Sequence, residues 1–187
     1  DSSKAVASGK NGAWYSTDGG ATWNVATFST PALTGTPRVE LAYGPGNIVY
    51  ASVDQNGGDL YKSTDGGANY TQVNTGTNLL GGQGWYDNSI WVNPIDATFV
   101  VVGGTQIWIS TNSGVGFTSA GYRGGGLHPD HMAIVADPGF NNTSNKRVYV
   151  GNDGGIYRTD DISALTSQRG HSLILICPSP SSVAASV

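Results

Sequence analysis

The feature that most constrains this chain is a ten-residue pattern that returns at a fixed interval. Trp14-Tyr15-Ser16-Thr17-Asp18-Gly19-Gly20-Ala21-Thr22-Trp23 is the first copy and Tyr61-Lys62-Ser63-Thr64-Asp65-Gly66-Gly67-Ala68-Asn69-Tyr70 the second. Trp108-Ile109-Ser110-Thr111-Asn112-Ser113-Gly114-Val115-Gly116-Phe117 is the third, and Tyr157-Arg158-Thr159-Asp160-Asp161 is a worn fourth. Asp18, Asp65, Asn112 and Asp161 stand 47, 47 and 49 residues apart. A constant period of roughly 20 to 50 residues marks a repeat architecture, in which each unit buries its apolar face against the next.

Each part of the pattern has a physical task. The apolar residues before Ser16, Ser63 and Ser110 end a strand. The Asp or Asn side chain accepts a hydrogen bond from backbone just ahead of it and so closes a turn. Gly20, Gly67 and Gly114 supply positive φ without a clash at Cβ. Trp23, Tyr70 or Phe117 opens the next strand and is expected to be buried. The pattern therefore predicts a tight hairpin between two strands of one sheet.

Ser-x-Asp-x-Gly-x-Thr-Trp resembles the Asp-box, or bacterial neuraminidase repeat. The match is complete in the first copy and partial in the others, and spans roughly residues 5 to 161. The resemblance implies a β-propeller, as in sialidases, xyloglucan-cleaving glycoside hydrolases and sortilin-type receptors. It also implies that Ser16, Asp18, Gly20, Trp23, Ser63, Asp65, Gly67, Ser110, Asn112, Gly114 and Asp161 are structural.

The expected fold is all-β, built of four-stranded antiparallel blades, about three to four in number and short of a full propeller. Residues 1–30 make a partial blade that lacks its first strand. Residues 31–77 and 78–122 make complete blades, and 123–161 a nearly complete one. Residues 162–187 form an irregular tail, although Ser172-Leu173-Ile174-Leu175-Ile176 within it is strand-like. The apolar run Phe99–Val102 predicts an inner strand buried on both faces. Such an array closes with the remainder of a propeller or with further copies of the chain.

Composition narrows the partners. Of 187 residues 12% are charged and 28 are glycine, which suits short strands and tight turns. A net charge of −4 does not support nucleic-acid binding. No stretch approaches a membrane span, and a single cysteine, Cys177, excludes an intrachain disulfide. There is no phosphate-cradling loop or nucleophile elbow, and no cofactor is expected.

Candidate chemistry lies in the linkers that lead into first strands. In Gly84-Trp85-Tyr86-Asp87, Trp85 and Tyr86 suit stacking on a sugar ring. Asp87 could hydrogen-bond hydroxyls, act as acid or base, or form a turn. In Arg123-Gly124-Gly125-Gly126-Leu127-His128-Pro129-Asp130-His131, the two histidines and Asp130 could form an acid–base group, ligate a metal, or pin the loop. The metal reading lacks a third protein ligand at a useful spacing. Arg123 joins Trp85 and Tyr86 as a substrate-binding candidate.

Glycoside cleavage uses two carboxylates about 5 to 10 Å apart. Asp87 and Asp130 are the available pair, at corresponding places of consecutive units, with His128 or His131 assisting. Sialidase chemistry is not expected, because the resemblance would require three converging arginines and a Tyr/Glu couple, whereas Glu40 is the only glutamate. The resulting expectation is a secreted, extracellular segment that binds carbohydrate or acts on it as a glycoside hydrolase. The alternative is a protein-interaction or self-assembling module.

Overall fold

The computed structural model describes residues 2–120, 127–166 and 174–178. They form four sheets in succession. The first holds β1 (Ala5–Gly9), β2 (Gly12–Ser16) and β3 (Asn24–Val25). The second holds β5 (Val39–Tyr43), β6 (Val49–Val53), β7 (Asp59–Ser63) and β8 (Asn69–Asn74), with β4 (Thr27–Ser29) added at its outer edge. The third holds β9 (Ser89–Val92), β10 (Val100–Gly103), β11 (Ile107–Ser110) and β12 (Thr118–Ser119). The fourth holds β13 (His131–Ala136), β14 (Val148–Asn152), β15 (Gly155–Thr159) and β16 (Ile174–Pro178).

Pairing within each sheet is antiparallel, except that β4 lies parallel to β8. The first strands β5, β9 and β13 stand side by side, and β1 packs beside β5. These are consecutive blades of a β-propeller, and among the described residues they do not close a ring.

Three apolar layers hold the blades face to face. Val39, Ala51, Tyr61 and Tyr70 fill the layer between the first and second sheets. Phe28 stacks on Tyr70 there, with centroids 4.6 Å apart and planes at 7°. Tyr50, Leu60, Leu79, Leu80, Val100 and Val102 fill the second layer, and Trp91, Val101, Ile109, Val150 and Tyr157 the third. β10 contributes Val100 and Val102 to one layer and Val101 to the other. It is therefore buried on both faces, as its apolar run predicts.

The corners repeat almost atom for atom. Ser16 Oγ donates to Asp18 Oδ1 at 2.7 Å and accepts the N–H of Gly20 at 2.9 Å. Ser63 bonds Asp65 and Gly67 at 2.7 and 3.0 Å, and Ser110 bonds Asn112 and Gly114 at 2.8 and 2.9 Å. Gly20, Gly67 and Gly114 have φ of 91°, 96° and 82°, where a Cβ would be strained. In the worn copy Thr159 Oγ1 still accepts the Asp161 N–H, at 3.3 Å. Ser163 stands where the other corners have glycine, so the Asp161 carboxylate caps Ser163 N–H instead and a 3₁₀ turn, Ile162–Thr166, follows.

Three expectations are corrected. Trp23 is 44% exposed. β3 is only two residues long, and the chain then leaves the first sheet to run beside β8, so nothing covers the indole. The strand expected to open at Trp23 is accordingly split between two sheets, as Asn24–Val25 and Thr27–Ser29. Within the tail, Ile174–Pro178 is the outer strand of the fourth sheet and pairs with β15, which would otherwise present an open edge.

Candidate functional site

Corners and linkers occupy opposite ends of the sheets. Ser89 pairs with Gly103 at one end of β9 and β10, while Val100 pairs with Ser110 at the other. The linker before β9 is a compact turn. Gly81 and Gly82 have φ of 63° and 81°. A Cβ on Gly84 would fall 2.5 Å from the Asp54 carboxylate, so only glycine lets the loop lie against the end of β6. Gln83 C=O accepts the N–H groups of Tyr86 and Asp87, at 2.7 and 3.0 Å. That turn points Trp85 and Tyr86 outward, 68% and 40% exposed, with ring centroids 5.6 Å apart.

The loop is held by the units on either side of it. Arg38 of the second unit donates through Nη1 to Tyr86 C=O at 2.6 Å, while its Nε bonds Glu40 at 2.9 Å. Gln83 Nε2 reaches Asp130 Oδ1 at 3.1 Å. Tyr86 Oη donates to Asp153 Oδ1, beyond β14, at 3.2 Å. Burial, then Asp153, holds the Tyr86 hydroxyl above its usual range, so it remains a donor.

Asp87 is fully buried, and among the described residues neither carboxyl oxygen has a hydrogen-bond partner of good geometry. Burial is the main reason its pKa rises to about 7. Asp130 adds to this by its charge and by the hydrogen bond the two carboxyls make when one is protonated. Two ionised carboxylates are both acceptors, so contact between them requires a proton on one.

Strand register shows that Asp87 and Asp130 are not equivalent positions. Ser89 and His131 each pair with the last residue of the following strand, so Asp130 corresponds to Asn88 and to Arg38. Asp130 turns back at φ 66°, a left-handed conformation that Asp tolerates better than most residues, and Gln83 bonds its carboxylate.

His131 opens β13 with its ring 1% exposed, and burial holds its pKa down to about 4. It is neutral at physiological pH. Its N–H bonds Gly104 C=O at 2.9 Å and its C=O accepts Ser89 Oγ at 3.1 Å, which stitches the third and fourth units together. His128 is exposed, its Nδ1 3.1 Å from Pro129 C=O, and its own C=O accepts Asn152 Nδ2 at 2.7 Å. Among the described residues no three His, Cys, Asp or Glu side chains gather to hold a metal. Arg123 lies outside the described residues.

The structure thus brings Trp85, Tyr86, Asp87 and Asp130 together and leaves His131 sealed beneath them. Asp87 is sealed from solvent, so it does not present a carboxyl to a glycosidic bond as the expected catalytic pair requires. Arg38 and Gln83 escaped sequence reasoning. Arg38 carried one signal, its place immediately before a first strand, as for Asn88 and Asp130. Two clefts, of about 380 Å³ beside Tyr43 and Asn47 and about 290 Å³ beside Ile109 and Phe117, lie at the corner end. At the linker end the rings of Trp85 and Tyr86 project outward.

No family model matches the chain, and no curated protein matches it. Solved structures do. YCF48 bound to D1 peptide aligns with a TM-score of 0.59 at 15% identity, over 85% of this chain and 48% of that one. The GH74 enzyme of Niastella koreensis aligns at 0.58 and 24%, over 93% and 22%. The GH74 xyloglucanase from Xanthomonas campestris aligns at 0.50 and 19%, over 78% and 20%. The chain therefore spans about half the length of the first and about a fifth of the others. At these identities the likeness shows the propeller fold alone.

Proposed function

We propose that this chain is a segment of a secreted, extracellular propeller that binds carbohydrate at the linker end of its blades. The observation that carries the reading is the exposed Trp85–Tyr86 ring pair, fixed in place through Arg38, Gln83 and Asp153. Exposed aromatics normally cost solubility, and a rigid pair suits the apolar face of a pyranose ring. Asp130 and Asp153 at the rim supply acceptors for sugar hydroxyls. The fold likeness to a xyloglucanase supports a β-linked glucan as the first ligand to try. Recognition without cleavage fits best, because Asp87 is sealed from solvent.

Affinity electrophoresis in xyloglucan and other soluble polysaccharides tests this. The parent should be retarded by at least one polymer, and Trp85→Ala should lose about tenfold in affinity, a loss of about 1.4 kcal/mol. A parent that no polysaccharide retards defeats the proposal. Release of reducing ends by the parent, abolished in Asp130→Asn, would replace binding with hydrolysis.

A second reading, a peptide-binding module, is favoured by one observation: the aligned YCF48 structure holds a peptide. Peptide capture that is insensitive to Trp85→Ala would point to a different surface from the one described above.

A further inference from the structure

We propose that two copies of this chain pair head to tail. The outer face of the first sheet in each copy packs on the outer face of the fourth sheet in the other, so that eight units close one ring. The proposal concerns the two ends of the array and is independent of what the linker end binds.

Strand register puts the units on one template. Ala51 pairs with Tyr61 in the second unit as Ala7 pairs with Trp14 in the first. Trp14 and Trp23 stand 47 residues before Tyr61 and Tyr70. Ala51, Tyr61 and Tyr70 form the row that the second unit turns on the first, and all three are fully buried. In the first unit Val6 and Tyr15 face the second, so by alternation Ala7 and Trp14 face away from it, with Val25 paired beside Trp14. Trp23 and Val25 are 44% and 73% exposed. The far end shows the other half of such a seam. Tyr50 pairs with Lys62, and Leu60 lies two residues from Lys62 on the same face. Tyr50 and Leu60 pack on the third unit and have no exposed surface. In the fourth unit Tyr149 pairs with Arg158, and Ile156 lies two residues from Arg158. Ile134, Val148, Val150 and Tyr157 are turned on the third unit. On the opposite face Ile156 and Val135, the partner of Tyr149, are 44% and 58% exposed. A cation at Arg158 suits such a layer, since Lys62 holds the same position with its ammonium 5.5 Å from the centre of the Tyr50 ring.

Repeat units bury such faces against neighbours, and the register identifies the neighbour. The two exposed rows are the two sides of one kind of seam, placed at opposite ends of the chain. What complements the fourth sheet is therefore a first sheet, and a second copy brings one. Contact between unlike patches is heterologous, so it either closes as a ring or grows as a filament. Four sheets per copy make eight in a pair, a number at which propellers close, and the pair then leaves neither row exposed. Among the described residues β1 is the edge of the first sheet, without the first strand that β5, β9 and β13 supply to the others. Each seam between copies thus has one strand fewer than the seams within a copy, and the pair should separate on dilution before either chain unfolds.

Sedimentation velocity of the whole chain, from nanomolar to high micromolar concentration, decides the matter. The parent should pass from the single chain to one species of twice its mass and grow no further. Tryptophan emission should move to the blue over the same range, as Trp23 enters the seam. Trp23→Asp and Ile156→Asp change exposed positions at opposite ends. Each should weaken pairing at least about a hundredfold, because an unpaired carboxylate is then buried in both seams. Ile95→Asp, at an exposed turn outside both faces, should leave the mass unchanged. The proposal is overturned if the parent stays a single chain at high micromolar concentration, or if its mass keeps rising with concentration. It is equally overturned if either Trp23→Asp or Ile156→Asp pairs as tightly as the parent, since the contact then uses one face only or a different surface. Should a variant fail to fold, the parent's own mass and emission still decide.

Discussion

The two ends of these blades are built by different means. At the corner end, Ser63, Asp65 and Gly67 satisfy one another across four residues, and the same bonds recur at Ser16 and Ser110. At the linker end, Tyr86 reaches Asp153 and Gln83 reaches Asp130, 67 and 47 residues away. A turn that closes on itself can be copied from unit to unit. A loop held by its neighbours diverges, because each neighbour offers different partners. The repeated end is thus scaffold, and the variable end is where exposed rings and a perturbed acid sit.

Glycine substitutions should break this contrast most strongly. Gly67→Ala combines a left-handed backbone with a Cβ only 2.6 Å from Val6 Cγ1. It should cost about 2–5 kcal/mol in denaturant unfolding. Gly20→Ala has similar φ, but its Cβ meets nothing nearer than Trp23 at 3.6 Å, so only the backbone penalty of about 1–2 kcal/mol applies. Equal losses would mean that Val6 gives way and that the backbone penalty alone sets the cost at both corners. At the other end, a Cβ on Gly104 would lie 2.6 Å from the Leu80 Cα. Gly104→Ala should cost about 1–3 kcal/mol and loosen the loop beyond Leu80 as well.

Ser63→Ala comes next. It strands the buried Gly67 N–H, an expected loss of about 1–3 kcal/mol. Ser89→Ala, at the linker end, removes a donor shared between two carbonyls and should cost about 1 kcal/mol. Thermal melts of the two variants rank the ends directly.

The pH response sharpens the comparison, since Asp87 and His131, whose shifts bear on the range between pH 4 and 7, both lie at the linker end. Asp87 is raised to about 7 in the fold. Its contribution is fully present below its unfolded value, about 3.9, and is lost as pH rises through about 7. His131 is lowered to about 4. Its contribution is present above about 6.5 and is lost as pH falls through about 4. Between pH 4 and 6.5 the two oppose each other, and the parent's stability should be nearly flat. Asp87→Asn should become more stable as pH rises through that window, and His131→Gln less stable. Parallel slopes in the two variants would refute the assignment. At the corner end Asp18 is lowered to about 2, chiefly by Thr22, so its contribution changes only below the window.

The smallest effect is expected from Trp85→Ala. The indole is largely exposed, so stability should change by less than about 0.5 kcal/mol. A larger loss would show that the ring supports the fold instead of facing a ligand.

The number of units, their order, the hairpin corners and the doubly buried β10 could be read from residue order. Those features rest on turn chemistry and side-chain alternation within a few positions, which tertiary packing only had to accept. What the chain order did not reveal was which linker side chains meet. Trp23 lies open because the chain crosses to the second sheet beside β8, and Ile174–Pro178 closes an edge that propensity alone left unassigned. Asp87 and Asp130 lie 43 residues apart and one register position out of step, yet the charge of Asp130 acts on the buried Asp87 carboxyl. Sheet register and blade packing decided that, because desolvation and charge–charge coupling depend on distance in space and not on separation along the chain.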